Sequence, residues 1–383
     1  MKIAELRTAV LKSYEYPQGG WVLVRVRTEA GVEGVGECFV PDQTGRGVFA
    51  ARQLIEHSLK QAVLGEDALD IEVIWERLYR ICGGLYDRRG LAIHALSGVD
   101  LALHDAAGKT LGVPVHKLLG GCFRQRVRVY LSSIWVDPQD PRPALEDTAR
   151  YAGEGFTGIK YYGWAGFGGQ PRRDAQLLCQ LREAAGEEVE LMLDLGRPQG
   201  LAEALEMAKL IEDSGARIYW WEEPLSSSDD LENLARLNAR TRVRLAAGEA
   251  ELGACAFRDL LLKNAVDVVQ PDLSWAGGLT EGHRIAQLAR LFRVPLVPHN
   301  WGTALHFAAS IHLVAAMPAG FLCEYPIAPR ARDRGGPEIP SPMMTELVRN
   351  PVVVEKGYAQ VPQGPGLGVE LDEEAVARYT CRD

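Results

Sequence analysis

Over its first forty residues the chain alternates apolar and polar positions with a period of two. WVLVRVRTEAGVEGVGECFV holds two such runs around the turn-rich EAGVEG, which predicts a β-meander. Gly31, Gly34 and Gly36 crowd this stretch as in a nucleotide-binding loop, but no helix opens after them, and a hairpin is the better reading. From Gly47 to Gly120 the period lengthens to the i, i+3, i+4 spacing of amphipathic helices. GVFAARQLIEHSLKQAVLG, DIEVIWERLYRI and LAIHALSGVDLALHDAAGKTLG each read as helical. GVPVHKLLGG then ends the block at two glycines.

After Arg124 the pattern becomes strand, helix, strand, repeated. Candidate strands cover residues 127–135, 157–162, 189–194, 217–223, 243–249, 266–272, 294–300 and 320–326. Amphipathic stretches such as GLAEALEMAKLIEDSG and TEGHRIAQLARLF lie between them. Apolar strands separated by such helices predict an α/β barrel closed on itself. Beyond residue 345 the chain turns Gly/Pro-rich, with YAQVPQGPGLGVELD, and no further strand–helix unit follows.

Composition narrows the class. A barrel alone takes about 250 residues, so 383 leave room for a second domain. The 47% apolar and 24% charged shares are those of a globular enzyme. A net charge of −9 argues against a nucleic-acid partner. Seven scattered cysteines without a C-x-x-C pair suggest reduced thiols and a cytoplasmic location. MKIAELRTAVLKSYEY lacks the apolar core of a signal peptide, and no run is long enough to predict a membrane span.

The chemistry gathers at strand ends. Asp194, Glu222 and Glu249 each close a short apolar run, 28 and 27 residues apart, the length of a βα unit. On neighbouring barrel strands they would converge at the C-terminal mouth, where three carboxylates repel unless a hard cation such as Mg²⁺ lies between them. The other strands end in Lys160 and Tyr162, Glu223, Asp272, His299 and Glu324. The remaining histidines (57, 94, 104, 116, 283, 306 and 312) fall in or beside helical patterns and read as packing or surface residues.

This series resembles the enolase superfamily and its mandelate racemase subgroup. ALSGVDLALHDAAGKTLGVPVHKLLGG is similar to that family's capping-domain signature. WWEEPL and AAGE resemble its second and third metal-ligand motifs, and QPD, PHN and LCEYP its Asp, His and Glu of strands six to eight. The resemblance implies a modified (β/α)₇β TIM-type barrel under an α+β N-terminal capping domain. The cap would span 1–125, the barrel 126–345, and 346–383 would return to the cap. It also implies one Mg²⁺ on Asp194, Glu222 and Glu249, removal of a proton α to a carboxylate, and a homo-oligomer, dimer or octamer. His299 is then the candidate base, with Asp272 holding its other ring nitrogen, and Lys160 helps to neutralise the substrate carboxylate. Glu324, if burial raises its pKa, would donate a hydrogen bond or proton to that carboxylate.

Two departures narrow the reaction. Many subgroup members carry Lys-x-Lys on the second strand, whereas this chain has Lys160-Tyr161-Tyr162. A phenol of pKa about 10 is a poor base at neutral pH, which favours one-base chemistry on His299. The expected reaction is dehydration of a sugar acid (aldonate, uronate or aldarate) to a 2-keto-3-deoxy acid, with a racemase or epimerase of a 2-hydroxy acid as the alternative. A cycloisomerase with lysines facing each other across strands two and six is disfavoured, since strand six ends in Asp272. Secondly, Asp194 is followed by Leu195-Gly196-Arg197 in place of Asp-x-Asn, so Arg197 could bind a distal substrate group. Trp301 and Trp164 near strand ends, and Tyr14, Tyr16, Trp21 and Arg46 near cap loops, are further substrate-binding candidates.

Overall fold

The period-two opening folds as a three-stranded antiparallel sheet of β1 (Ile3–Leu11), β2 (Gly19–Thr28) and β3 (Glu33–Pro41). The computed structural model describes residues 1–12, 19–41, 44–83, 89–162, 170–194, 200–225, 230–326 and 342–381. Helices α1 (Gly47–Leu54), α2 (Lys60–Val63), α3 (Ile71–Ile81), α4 (Leu91–Leu111) and α5 (Val115–Leu118) follow, with a π-helical turn at Ile55–Leu59 joining the first two. The glycines of the meander serve close approach. A Cβ on Gly34 would stand 2.2 Å from the Ala102 carbonyl, and one on Gly36 2.5 Å from the Gly98 carbonyl, so β3 lies directly on α4.

Helix α4 is buried on nearly every side, as its all-round apolar sequence requires. Its few polar residues tie the sheet to the rest of the molecule. Asp100 accepts from the Thr280 N–H and hydroxyl at 3.0 and 2.6 Å, and the Ser97 hydroxyl accepts from Gly277 N at 2.9 Å. Asp105 accepts from Val35 N on β3 and from Leu367 N near the C-terminus, both at 2.8 Å.

The barrel strands are β4 (Arg126–Trp135), β5 (Gly158–Tyr162), β6 (Glu190–Asp194), β7 (Ile218–Glu222), β8 (Leu245–Ala247), β9 (Val268–Val269) and β10 (Leu322–Pro326). They pair in parallel in that order, and β10 returns to β4. Helices α6 (Arg142–Gly153), α7 (Pro171–Ala185), α8 (Leu201–Ser214), α9 (Leu231–Asn238), α10 (Ala254–Leu262), α11 (Gly278–Phe292) and α12 (Ala304–Ala316) alternate with them. The result is an N-terminal α+β domain on a (β/α)₇β barrel.

One predicted strand is not a full one. Residues 294–300 meet β9 and its extension only through isolated bridges, Val269 with Leu296 and Asp272 with His299. Pro295 and Pro298 remove two of the donors a ladder needs. The fifth and sixth strands are likewise shorter than predicted, at three and two residues.

After the barrel come α13 (Met343–Glu346), β11 (Val354–Glu355), β12 (Tyr358–Gln360) and α14 (Glu373–Tyr379). Strand β12 pairs antiparallel with β4. The end of the chain then reaches β1, where Cys381 N donates to Val10 O at 2.8 Å and Lys12 N to Tyr379 O at 3.0 Å. No helix among the described residues is long and apolar enough to cross a membrane.

Candidate active site

The barrel interior is plugged by Tyr130, Met192, Trp220, Ala246, Val268, Val297 and Leu322, one from each wall segment except β5. Side chains alternate along a strand, so residues two positions further on stand above this plug and face inward. Those residues are Ser132, Asp194, Glu222, Gln270, His299 and Glu324, while Lys160 enters from β5. Register sets their height: Tyr162 pairs with Asp194, and Asp194 with Glu222. At β8 the alternation breaks. Gly248, at φ 117°, turns the chain so that Glu249 and not residue 248 supplies the acid.

Ligand oxygens of Asp194, Glu222 and Glu249 lie within 4.8 Å of one another, so the three could hold a metal ion. Burial and repulsion from Glu222 raise the pKa of Glu249, and neighbouring His299 only partly offsets this. A divalent cation would relieve that charge, and an all-oxygen donor set suits a hard ion. Each oxygen of Glu222 is oriented: Trp220 Nε1 and Gln270 Nε2 donate to Oε2 at 3.1 and 2.7 Å, and the Lys160 ammonium bonds Oε1.

Lys160, 2% exposed, also pairs with Glu324 at 2.8 Å and stands 3.9 Å from Asp194. Burial alone would lower its pKa, but Glu222 and Glu324 drive it well above the usual lysine value. Across the site, His299 Nδ1 lies 2.7 Å from Asp272 Oδ2, and its Nε2 stands 3.5 Å from Glu249. Asp272 is fixed in turn by the Ser274 N–H and hydroxyl at 2.7 and 2.6 Å. Burial works against the charged imidazole, yet Glu249 and Asp272 prevail and raise His299 to about 10.

The model of the mandelate racemase / muconate lactonizing enzyme N-terminal domain matches residues 11–120, and that of the enolase C-terminal domain-like family matches 144–375. The chain belongs to this family. It is 32% identical to D-galactarolactone cycloisomerase of Agrobacterium fabrum over the full length of both chains. It is 33% identical to D-galactonate dehydratase of Ralstonia nicotianae, covering 98% of this chain and 94% of that one. A putative mandelate racemase from Bordetella bronchiseptica RB50, solved with 2-oxoglutarate/phosphate, superposes with a TM-score of 0.85 at 34% identity, covering 100% and 99% of the two chains.

The chain is therefore an enzyme of the mandelate racemase family. Glu324 is buried, with the Lys160 ammonium against it. Burial pushes its pKa up, but Lys160 and His299 more than compensate and hold it below the usual range. In this ionised form it accepts from Asn300 N at 2.8 Å. Glu223, at φ 42°, accepts from Gly248 N at 2.7 Å, and burial with the negative charge of Glu249 raises its pKa well above the usual range. Tyr162 shares the inward face of β5 with Lys160, and its ring lies 5.6 Å from Trp135.

The aromatic candidates are dispersed. Trp301 is half-buried against the main core, whereas Trp21 is 2% exposed and packs on Phe39 at 5.0 Å within the cap. Arg46 is exposed at the start of α1. Tyr14, Tyr16, Trp164 and Arg197 lie outside the described residues. The site also contains groups that strand-end reading passed over. Gln270 stands two positions before Asp272 in QPD, so period-two spacing was a usable signal for it. Trp275, whose ring is 5.5 Å from His299, and His306, 3.5 Å from Asp272, carried no such signal.

Proposed function

We propose that this enzyme dehydrates a sugar acid by removing the proton α to its carboxylate. The observation that carries the reading is one buried constellation in the barrel mouth: a carboxylate trio that could hold a cation, Lys160 bonded to Glu222, and the His299–Asp272 pair with Nε2 3.5 Å from Glu249. Asp194, Glu222 and Glu249 would hold Mg²⁺. A bound ion of that kind supplies Lewis-acid stabilisation of the negative charge that grows on the substrate carboxylate. Lys160 adds a fixed positive charge beside it, in a site too dry to screen the attraction.

Glu249 is the chief charge that raises His299, and a cation held on Glu249 would cancel it; the neutral ring then takes the C2 proton on Nε2, while Asp272 holds Nδ1–H, fixes the ring and stabilises the imidazolium. The C3–O bond then breaks as the imidazolium returns its proton to the departing hydroxyl, releasing water. The resulting enol takes a proton at C3 to become the 2-keto-3-deoxy acid. One base serves both proton transfers, which suits a second strand that offers Tyr162 where a second lysine would stand.

The test is a library of aldonates, uronates and aldarates incubated with enzyme and Mg²⁺ and assayed for 2-keto acids. Keto-acid formation from at least one member is expected. If none forms, and deuterium from D₂O enters at C2 with inversion, the enzyme is a racemase or epimerase. The similarity to D-galactarolactone cycloisomerase supports a second reading, in which the oxygen expelled from C3 stays tethered in a ring. Sugar-acid lactones and anhydro acids belong in the library for that reason, and a product isomeric with its substrate would favour it.

A further inference from the structure

Glu37 sits in mid-β3, and the carboxylate is fully buried. It does not serve its own sheet. Its Oε1 accepts from Thr303 N at 2.7 Å, and its Oε2 accepts from the Thr303 hydroxyl. Thr303 is the N-cap of the 13-residue helix α12, with its hydroxyl oxygen accepting from Leu305 N at 3.2 Å. The cap sheet thereby grips the last residue of the turn 299–303, whose first residue is His299.

The packing behind this grip leaves no slack. A Cβ on Gly302 would fall 2.5 Å from both Glu37 Oε1 and His306 Nδ1. His306 is itself buried, with no hydrogen bond to either ring nitrogen, and Nε2 is 3.5 Å from Asp272 Oδ1. Strand β3 touches the same region again through Phe39, on the face it shares with Glu37. Phe39 stacks on Trp275 at 5.7 Å, and Trp275 lies against the His299 ring. A buried carboxylate is costly unless hydrogen-bonded, and burial raises the Glu37 pKa to about 7. The group offsets that cost only by bonding a loop of the other domain.

We propose that Glu37 is a positioning residue for the base: by binding Thr303 from the capping sheet it fixes the turn that carries His299, so that the ring meets Asp272 and the substrate correctly only when the cap is seated. The proposal rests on His299 as base. A misplacement of about 1 Å costs up to about a hundredfold in rate, while the metal acids and Lys160, on other strands, are untouched. Glu37→Ala should therefore lower kcat ten- to a hundredfold with KM and Mg²⁺ affinity within about threefold. Glu37→Gln, which keeps an acceptor for Thr303 N–H, should recover most of the loss. Thr303→Val, which loses the hydroxyl half of the contact together with the cap on Leu305 N, should fall between and supplies a second variant should Glu37→Ala fold poorly. In proton NMR of the Mg²⁺ enzyme, the downfield His299 Nδ1–H signal should weaken in Glu37→Ala and persist in Glu37→Gln. A folded Glu37→Ala or Thr303→Val enzyme with kcat within twofold of wild type would overturn the proposal. So would kcat, KM and Mg²⁺ affinity that worsen together. His299→Asn is run in parallel: an inactive variant beside a fully active Glu37→Ala sinks the positioning role alone, and an active one sinks the base assignment with it.

Discussion

At the scale of single residues, charge in this site is set by neighbours more than by burial. Lys160, Glu324 and His299 are all buried, yet each moves toward its ionised form because opposite charges stand beside it. Such clustering suits a metal site, and Asp194→Asn should weaken Mg²⁺ binding at least about tenfold by removing one anionic ligand. Titration calorimetry checks this, and unchanged affinity would exclude Asp194 as a ligand. Glu37 shows the opposite behaviour, because its neighbours donate hydrogen bonds but carry no positive charge. Its folded pKa of about 7 exceeds the ordinary 4.5, so the native state holds that proton more tightly than the unfolded chain. Stability from this group is present below pH 4.5 and is lost as pH rises through 7, at most about 3 kcal/mol in all. Glu37→Gln removes that dependence, so the variant should gain stability relative to wild type between pH 5 and pH 8 in denaturant titrations. The acids and His299 were legible from strand ends because period two makes one position face inward. The ionisation of Glu324 was not, since it depends on a lysine from a strand far away in sequence.

Among the elements, the helical and β patterns translate directly where donors and space permit. The apolar stripe of residues 47–63 is continuous, but nothing in it announces the π-helical turn at Ile55–Leu59. Strand 294–300 looked as apolar as its neighbours, and its two prolines were visible; their effect on pairing depends on which edge each missing N–H faces. Gly34 and Gly36 seemed to be turn residues and proved to be the places where β3 meets α4. Gly36→Ala should thus force the sheet and helix apart and destabilise the protein by about 1–3 kcal/mol. Thermal melts measure this, and an unchanged midpoint would mean that the contact yields more easily than the spacing implies.

On the scale of the whole molecule, the two domains and the C-terminal segment are joined by buried polar groups. Asp105 holds β3, the turn at Leu367 and, at 2.7 Å, the Lys109 ammonium. Removing such a group leaves its donors unpaired and typically costs about 3–5 kcal/mol. Asp105→Ala should lower a single cooperative unfolding transition by that amount. Two separate transitions in calorimetry would instead mean that cap and barrel unfold independently. The barrel was readable at this scale from its repeating period. The return of residues 346–383 to the cap was expected because no further repeat follows, but the surface they cover was not, since Gly/Pro-rich chain carries no periodic trace of it.

The two prolines of residues 294–300 have a mechanical consequence. From β10 round to β9 the barrel wall is stitched by backbone ladders, but between segment 294–300 and β10 the described residues show a different fastening: Asn300 N and Nδ2 reach the Glu324 carboxylate and carbonyl, at 2.8 and 3.3 Å. The seam thus runs between the base and the acid and is closed partly by the acid itself. A side chain that lines the mouth thus also holds the wall, so that replacing Glu324 would loosen the seam along with the site.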